Sequence, residues 1–164
     1  MLSKPVLDLM NEQITHEMYS AYLYLSMAAY FEAENLPGFA NWMRMQFKEE
    51  QEHAMKLYDY ILDRGDRVML KAIAQPEVNF ASPQAVFKMA YEHEQKVTAL
   101  INNIYATALD AKDTASQVFL HWFINEQVEE EKNASQMLDL LTKIGTSVGS
   151  LYQLDHNAGK RGGE

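Results

Sequence analysis

Proline and glycine stand almost only at the ends of four long segments in which apolar residues recur every three or four positions. This spacing is typical of α-helices with one buried face, and no stretch shows the alternation of a β-strand. The sequence therefore predicts a single all-α domain over residues 1–164. The predicted helices span about 3–35, 39–64, 82–110, 113–145 and 146–157, and a flexible polar tail is predicted at 158–164.

The lengths of the connections constrain how these helices pack. Only a few residues join the first helix to the second and the third to the fourth, so each pair is predicted to be antiparallel. The connection over residues 65–81 is much longer. At ~3.3 Å per residue it can reach roughly 55 Å, whereas a 26-residue helix is only ~39 Å long. These lengths predict a four-helix bundle with one long crossover, followed by a short fifth C-terminal helix.

Each helix of the predicted bundle carries a glutamate on its otherwise apolar stripe. His53 lies one turn after one of these glutamates, and Gln127 lies one turn before another. Counted from the two hairpin turns at ~1.5 Å per residue, these side chains fall within about 8 Å of one level of the bundle. The six polar residues predicted to converge there are Glu17, Glu50, His53, Glu94, Gln127 and Glu130.

Four carboxylates inside a protein core need positive charge nearby. Without it, desolvation and mutual repulsion disfavour the ionised forms, and one imidazolium cannot balance four anions. A pair of metal ions can, and di-iron bundles use glutamates together with Glu-x-x-His pairs for this purpose. Residues 50–53 supply one such pair, whereas the fourth helix offers Gln-x-x-Glu at 127–130. Oxygen ligands with one imidazole suit iron or manganese, and zinc can also bind.

Other interpretations of the same residues remain open at this stage. A single Glu-x-x-His on a helix is usually a solvated pair, and only the coincidence of four stripe glutamates favours a metal centre. Tyr24 lies two turns from Glu17 and is either a core tyrosine or a neighbour of that centre. At the level of function, the alternatives are a carboxylate-bridged di-iron redox enzyme acting on another substrate and a structural bundle without metal.

Composition excludes several classes of function. The formal net charge is −9, which argues against a nucleic-acid partner, since phosphate backbones require a basic patch. No apolar run approaches the ~18 residues of a membrane helix, so no membrane partner is expected. The chain has no cysteine, which removes disulfides, thiolate nucleophiles and cysteine-held clusters. The expected compartment is the cytoplasm.

Four stretches of the chain resemble the bacterial non-haem ferritins. They read NEQITHEMYSAYLYLSMAAYF, EEQEH, YEHEQ and WFINEQVEEEK, and the resemblance extends from residue 2 to about residue 155. It implies iron storage and detoxification. Fe(II) would be oxidised by O2 or H2O2 at an intra-bundle di-iron ferroxidase centre, and ferric mineral would be stored in a hollow homo-oligomeric shell of 24 chains. Haem is not expected, because Gln51 stands where bacterioferritins carry the haem-ligating methionine.

The same resemblance implies roles for individual residues. Glu17, Glu50 and His53 would bind one iron, and Glu50, Glu94 and Glu130 would bind the other, with Gln127 beside it. Tyr24 and Trp122 match aromatic residues near the centre. A third iron site toward the shell cavity would be formed with Glu130 by Glu49, Glu126 and Glu129.

Overall fold

The computed structural model describes residues 1–162, and these residues form five α-helices and no β-strand. The all-α class predicted from the sequence is therefore confirmed. Of the predicted flexible tail, residues 163 and 164 lie outside the described part of the chain, and residues 159–162 form turns. The helices are α1 (Lys4–Ala33), α2 (Pro37–Asp63), α3 (Pro83–Asp110), α4 (Thr114–Ile144) and α5 (Val148–Ala158).

Local capping chemistry fixes several helix ends. The side chains of Ser82 and Asp113 accept hydrogen bonds from backbone N–H groups in the first turns of α3 and α4. Gly145 ends α4 with a positive φ of 57°. Helix α2 begins at Pro37, two residues earlier than predicted, because the fixed φ of proline suits a first helical turn.

Contacts between helices establish the relative directions of the four helices in the bundle. Ser20 contacts His93, and the rings of Phe31 and Phe87 lie 5.8 Å apart, so α1 and α3 run in opposite directions. Since short turns make α1–α2 and α3–α4 antiparallel pairs, α2 and α3 are parallel. The crossover between them follows α1 along its length, from the bond between Leu2 N and Asp66 to the bond between the Ser26 hydroxyl and the Glu77 carbonyl.

The apolar core consists of two clusters separated by a polar layer. One cluster packs around Phe31, Phe39 and Phe87, toward the end of the bundle that α5 covers. The other packs around Leu57 and Ile104, toward the opposite end. On every helix of the bundle the stripe glutamate falls between the residues of the two clusters. Each fully buried side chain of this size contributes about 1.5–3 kcal/mol, which offsets the cost of burying the polar layer.

Helix α5 docks against the beginning of α2. The Asp155 carboxylate accepts a 2.8 Å hydrogen bond from Phe39 N and so supplies a cap that α2 lacks from its own N-cap residue. Leu151 and Leu154 pack on the neighbouring apolar cluster, whereas Tyr152 is exposed. The approach is so close that a Cβ at Gly38 would lie 1.7 Å from the Asp155 carbonyl oxygen.

We expect Gly38→Ala to weaken the docking of α5 by about 1–3 kcal/mol, the usual cost of overpacking. The backbone oxygen of Asp155 cannot rotate away, so the whole helix must shift. Limited proteolysis at residues 145–147 and hydrogen exchange over α5 would report the loosening. Gly149→Ala is the matched control, since nothing lies within 4 Å of a Cβ there. Equal protease resistance in the two variants would contradict this account of Gly38.

Candidate metal centre

The polar layer brings together side chains from all four helices of the bundle. The six residues predicted from the stripes are each at most 3% exposed. Ligand atoms of Glu17, Glu50 and His53 all lie within 4.8 Å of one another, and His53, Glu126 and Glu130 form a second group of the same kind. His53 belongs to both groups. Its Nδ1 lies 3.6 Å from Glu50 Oε2, and its Nε2 lies 3.9 Å from Glu126 Oε1.

Two residues of the layer hold the carboxylate of Glu94. The Tyr24 hydroxyl donates a hydrogen bond to Glu94 Oε1, and Gln127 Nε2 donates a 3.1 Å bond to Glu94 Oε2. Both donors are buried. Of the two interpretations that the sequence left open for Tyr24, the structure supports contact with the polar layer. Gln127 likewise acts as an amide donor to a carboxylate in this arrangement.

Two further glutamines orient carboxylates of the layer. Gln13 Nε2 donates a 2.8 Å hydrogen bond to Glu17 Oε1, and Gln46 Nε2 donates a 2.7 Å bond to Glu130 Oε2. Helical periodicity predicts Gln13 on the buried stripe of α1. It misses Gln46, because it favours Phe47 as the buried residue at that turn of α2. The structure buries Gln46 completely and leaves Phe47 half-buried. The Gln-x-x-x-Glu spacing of residues 13–17 recurs at 46–50, but Gln46 bonds to Glu130 and not to Glu50, so the spacing does not reveal its role.

Burial and crowding perturb the acids of the layer strongly. Burial, followed by the neighbouring Glu94 and Glu17 carboxylates, raises the pKa of Glu50 well above its usual value. Burial raises the pKa of Glu94 to about 7, although the hydrogen bonds from Tyr24 and Gln127 oppose the shift. Burial and the charge of Glu94 raise the pKa of Glu130 to about 8. Without a cation the layer therefore retains protons near neutral pH.

The remaining hydrogen-bonding capacity of the layer suits a cation. Glu17 Oε2 and Glu50 Oε2 are buried and have no amide, hydroxyl or backbone donor among residues 1–162, so only a proton shared between the two carboxyls or a cation can satisfy them. Such oxygens are costly to bury unless something positive or donating reaches them. The potential metal ligands of the layer are four carboxylates and one imidazole. Iron and manganese bind such ligands, and so does zinc. The residues present thus fit a pair of metal ions.

The residues predicted for a third site are less closely gathered. Glu126 approaches His53 and Glu130, whereas Glu129 is exposed. Glu49 is half-buried, and its Oε2 lies 2.7 Å from Nη2 of Arg161, a residue that the sequence did not connect with the site. The structure therefore places Glu49 and Glu126 on the same side of His53 but does not group them with Glu129.

A groove of about 740 Å³ opens beside His53. The Trp122 ring lies 5.2 Å from the His53 ring, so this tryptophan also borders the polar layer. Lys56 contributes positive charge to the wall, and its Nζ lies 4.3 Å from the centre of the Trp122 ring. The acidic residues of the wall are Glu49, Glu52, Asp59, Asp63 and Glu126. This excess of carboxylates favours the approach of cations.

The four-helix bundle and its buried carboxylate–imidazole layer define the class of helical proteins that hold paired metal ions between their helices. The chain matches the Ferritin-like domain family over residues 7–144. Bacterial non-heme ferritin of Staphylococcus aureus strain USA300 is 40% identical over 161 residues, covering 98% of this chain and 97% of the relative. The bacterial non-heme ferritin of Staphylococcus epidermidis is 43% identical over 152 residues, covering 93% of this chain and 92% of the relative.

Solved structures agree with this match. A crystal structure described as a novel open pore ferritin from the hyperthermophilic archaeon Archaeoglobus fulgidus has a TM-score of 0.97 to this chain. Its sequence is 44% identical, and the superposition covers 98% of this chain and 99% of that one. The chain belongs to the ferritin family.

Proposed function

We infer that this protein stores iron and oxidises Fe(II), and that the buried layer of Glu17, Glu50, His53, Glu94 and Glu130 is the ferroxidase centre. The observation that carries the proposal is the pair of buried, unpartnered oxygens on Glu17 and Glu50 beside the His53 imidazole. Iron is the substrate here, taken up as Fe(II) and retained as Fe(III).

In this proposal Glu50 lies between two iron ions. Glu17 and His53 complete the ligands of the first ion, and Glu94 and Glu130 those of the second. Because ligands must be deprotonated, iron binding releases the protons that burial keeps on Glu94 and Glu130. Anionic ligands favour the higher charge of Fe(III) and so lower the reduction potential. Two Fe(II) ions supply two electrons, which reduce O2 to H2O2 or H2O2 to water.

Amide and phenol donors keep the carboxylates in place before iron arrives. Gln13 holds Glu17, Gln46 holds Glu130, and Gln127 with Tyr24 holds Glu94. Partners of this kind fix ligand orientation and commonly contribute 10- to 100-fold to metal affinity or activity. Gln127 and Tyr24 therefore belong to the proposed centre without needing to contact iron themselves.

A third iron site beside the pair, formed by Glu49, Glu126 and Glu129 with Glu130, is also proposed. Support comes from the position of Glu126 near His53 and Glu130 and from the acidic wall of the adjoining groove. Glu129 would have to turn toward the others when an ion binds.

Storage further requires assembly, and we propose a homo-oligomeric shell of 24 chains. Exposed apolar residues on α1, α2 and the crossover support a subunit contact on that side. They include Tyr22, Leu25, Met55, Met69, Leu70 and Ile73. No helix within residues 1–162 combines the length and the apolar character that a membrane crossing needs. The acidic, cysteine-free composition suits the cytoplasm as the compartment.

A di-iron redox enzyme acting on another substrate is the alternative. Such an enzyme needs a pocket that fits an organic molecule at the metal pair. The groove beside His53 has apolar and aromatic lining residues, including Met55, Phe119 and Trp122, but it also carries five acids against one lysine. We consider this lining better suited to metal cations than to an organic substrate.

Native mass and iron capacity separate the two functions. Storage predicts a particle of roughly 450 kDa, 24 chains of 18.8 kDa, that retains many more than two irons per chain after aerobic Fe(II) addition. A small oligomer that binds two irons per chain and no more would contradict storage while leaving the metal pair in place. Native mass spectrometry and iron analysis of the isolated particle are the measurements.

A further inference from the structure

The segment after α5 follows a single stripe of α2 toward the proposed third site. Asn41 Nδ2 donates hydrogen bonds to the carbonyls of Gly159 and Arg161, and a Cβ at Gly162 would lie 2.5 Å from Met45 Sδ. Four of the α2 residues that meet α5 or this segment are spaced three or four apart, which places them on one face of the helix, and Trp42 belongs to the same face. In order they are Gly38, Asn41, Met45 and Glu49.

The Arg161 side chain ends at the carboxylate of Glu49. Nη2 lies 2.7 Å from Glu49 Oε2, and the guanidinium lies over the Trp42 ring, 4.5 Å from its centre. Nη1 is buried and has no hydrogen-bond partner within residues 1–162. The side chains of Arg161 and Glu49 are 22% and 38% exposed. An anion and an aromatic face thus hold the guanidinium, and the Asn41 side chain holds the backbone that carries it.

The charge of Arg161 acts on the same acids that a metal ion would neutralise. Burial raises the pKa of Glu49, and the neighbouring Arg161 opposes that rise. The same guanidinium opposes the increase in the pKa of Glu130, which is a proposed ligand of both the pair and the third site. An arginine cannot be deprotonated in proteins, so its charge is removed only if the side chain moves away.

We propose that Arg161 is a built-in counter-cation that competes with a metal ion for Glu49, so that binding of the third ion releases the segment of residues 159–162 from α2. This inference rests on the proposed third site. The guanidinium occupies Glu49 Oε2, and a metal ion on the same carboxylate would lie close to the fixed positive charge of Arg161, so the two cations repel each other there. By linkage, docking of the segment on α2 lowers the affinity for the third ion by the same factor by which the bound ion weakens docking of the segment.

The expected size of the competition follows from the exposure of the ion pair. Pairs of this kind contribute modestly because solvent screens them, and each loses side-chain entropy on forming. The ring of Trp42 and the backbone bonds add to the hold on Arg161. Removing the guanidinium should therefore tighten the third ion about threefold to tenfold.

Zn2+ titration of the full-length assembled protein by calorimetry tests the proposal, because Zn2+ accepts carboxylate and imidazole ligands and takes no part in redox chemistry. The third ion is identified as the binding step that Glu49→Gln removes. Arg161→Ala should tighten that step about threefold to tenfold. Asn41→Ala should tighten it in the same direction without any change of charge, since it removes the hydrogen bonds that hold the segment.

Lys160→Ala is the matched control. Lys160 is the preceding residue, is exposed, and carries the same charge, so its removal reproduces the change in net charge but not the loss of contact with Glu49. Its effect on the third step should stay below about twofold. Equal tightening by Lys160→Ala and Arg161→Ala would overturn the proposal, because simple electrostatics would then explain both variants.

Hydrogen exchange gives a second readout that does not depend on affinity. In the unaltered protein, amides of residues 159–162 should exchange faster once the third Zn2+ is bound, and in Glu49→Gln their exchange should not respond to Zn2+. Exchange that is indifferent to the third ion in the unaltered protein would refute release. If the two ions of the pair bind but no third ion does, the inference fails while the ferroxidase centre stands; if the pair is also absent, the proposed function fails with it.

Discussion

The variant Glu94→Ala is expected to lose the fast oxidation of Fe(II) that occurs at two ions per chain, by roughly 100-fold or more. Even partners outside a ligand set cost 10- to 100-fold when removed, and Glu94 is proposed as a ligand itself. Its loss also strands the Tyr24 hydroxyl and removes one of the three acceptors of Gln127 Nε2. Stopped-flow absorbance after mixing anaerobic Fe(II)-loaded protein with O2 measures the rate.

Glu92→Ala provides the matched control for this experiment. It removes an acid from the same helix, but Glu92 is exposed and contacts only the surface residue Lys88, at 3.8 Å, among the described ion pairs. The control should oxidise Fe(II) at the unaltered rate. A normal rate in Glu94→Ala would rule out the proposed centre, whereas equal losses in both variants would point to a general effect of charge.

Helical periodicity explains why so much of the centre was predictable from the sequence. The 3.6-residue repeat makes a glutamate on an apolar stripe easy to recognise. Because the rise per residue is fixed, the number of residues between a glutamate and the nearest turn gives its height in the bundle. Periodicity alone predicts Glu17, Glu50, Glu94 and Glu130, and all four are buried in one layer. The connection lengths were sufficient to predict the crossover.

Pairings between distant segments could not be predicted in the same way. Asp155 caps α2 from 116 residues away, and Arg161 reaches Glu49 across 112 residues. Neither pairing leaves a periodic signal, because each depends on where α5 docks. Gln46 escapes prediction for a different reason. It adjoins Phe47 at the edge of the stripe, and only the position of Glu130 on α4 determines which of the two faces the layer.

The metal-free protein is expected to lose stability as the pH rises from about 5 to 9. The pKa values of Glu94 and Glu130 are about 7 and 8 in the folded protein, above the ordinary value of 4.5. A carboxyl whose pKa is raised by folding contributes stability below its unfolded pKa, and that stability is lost as the pH passes through the folded pKa. Because a tenfold change in proton affinity on folding corresponds to about 1.4 kcal/mol, the two interacting carboxyls change the unfolding free energy by an amount on the order of a few kcal/mol.

Calorimetry of chelator-treated protein should therefore show a melting temperature that falls by roughly 5–15 °C between these pH values. Glu94→Gln should flatten the curve, because one titrating group is removed from the layer while an oxygen acceptor remains for Tyr24. Glu92→Gln should not, since it changes the net charge equally at an exposed position. Bound Zn2+ should reduce the loss of stability at the alkaline end, because a cation stabilises the ionised carboxylates that form there. A melting temperature that rises with pH in the metal-free protein would contradict the raised pKa values, and with them the account of why this layer needs a metal.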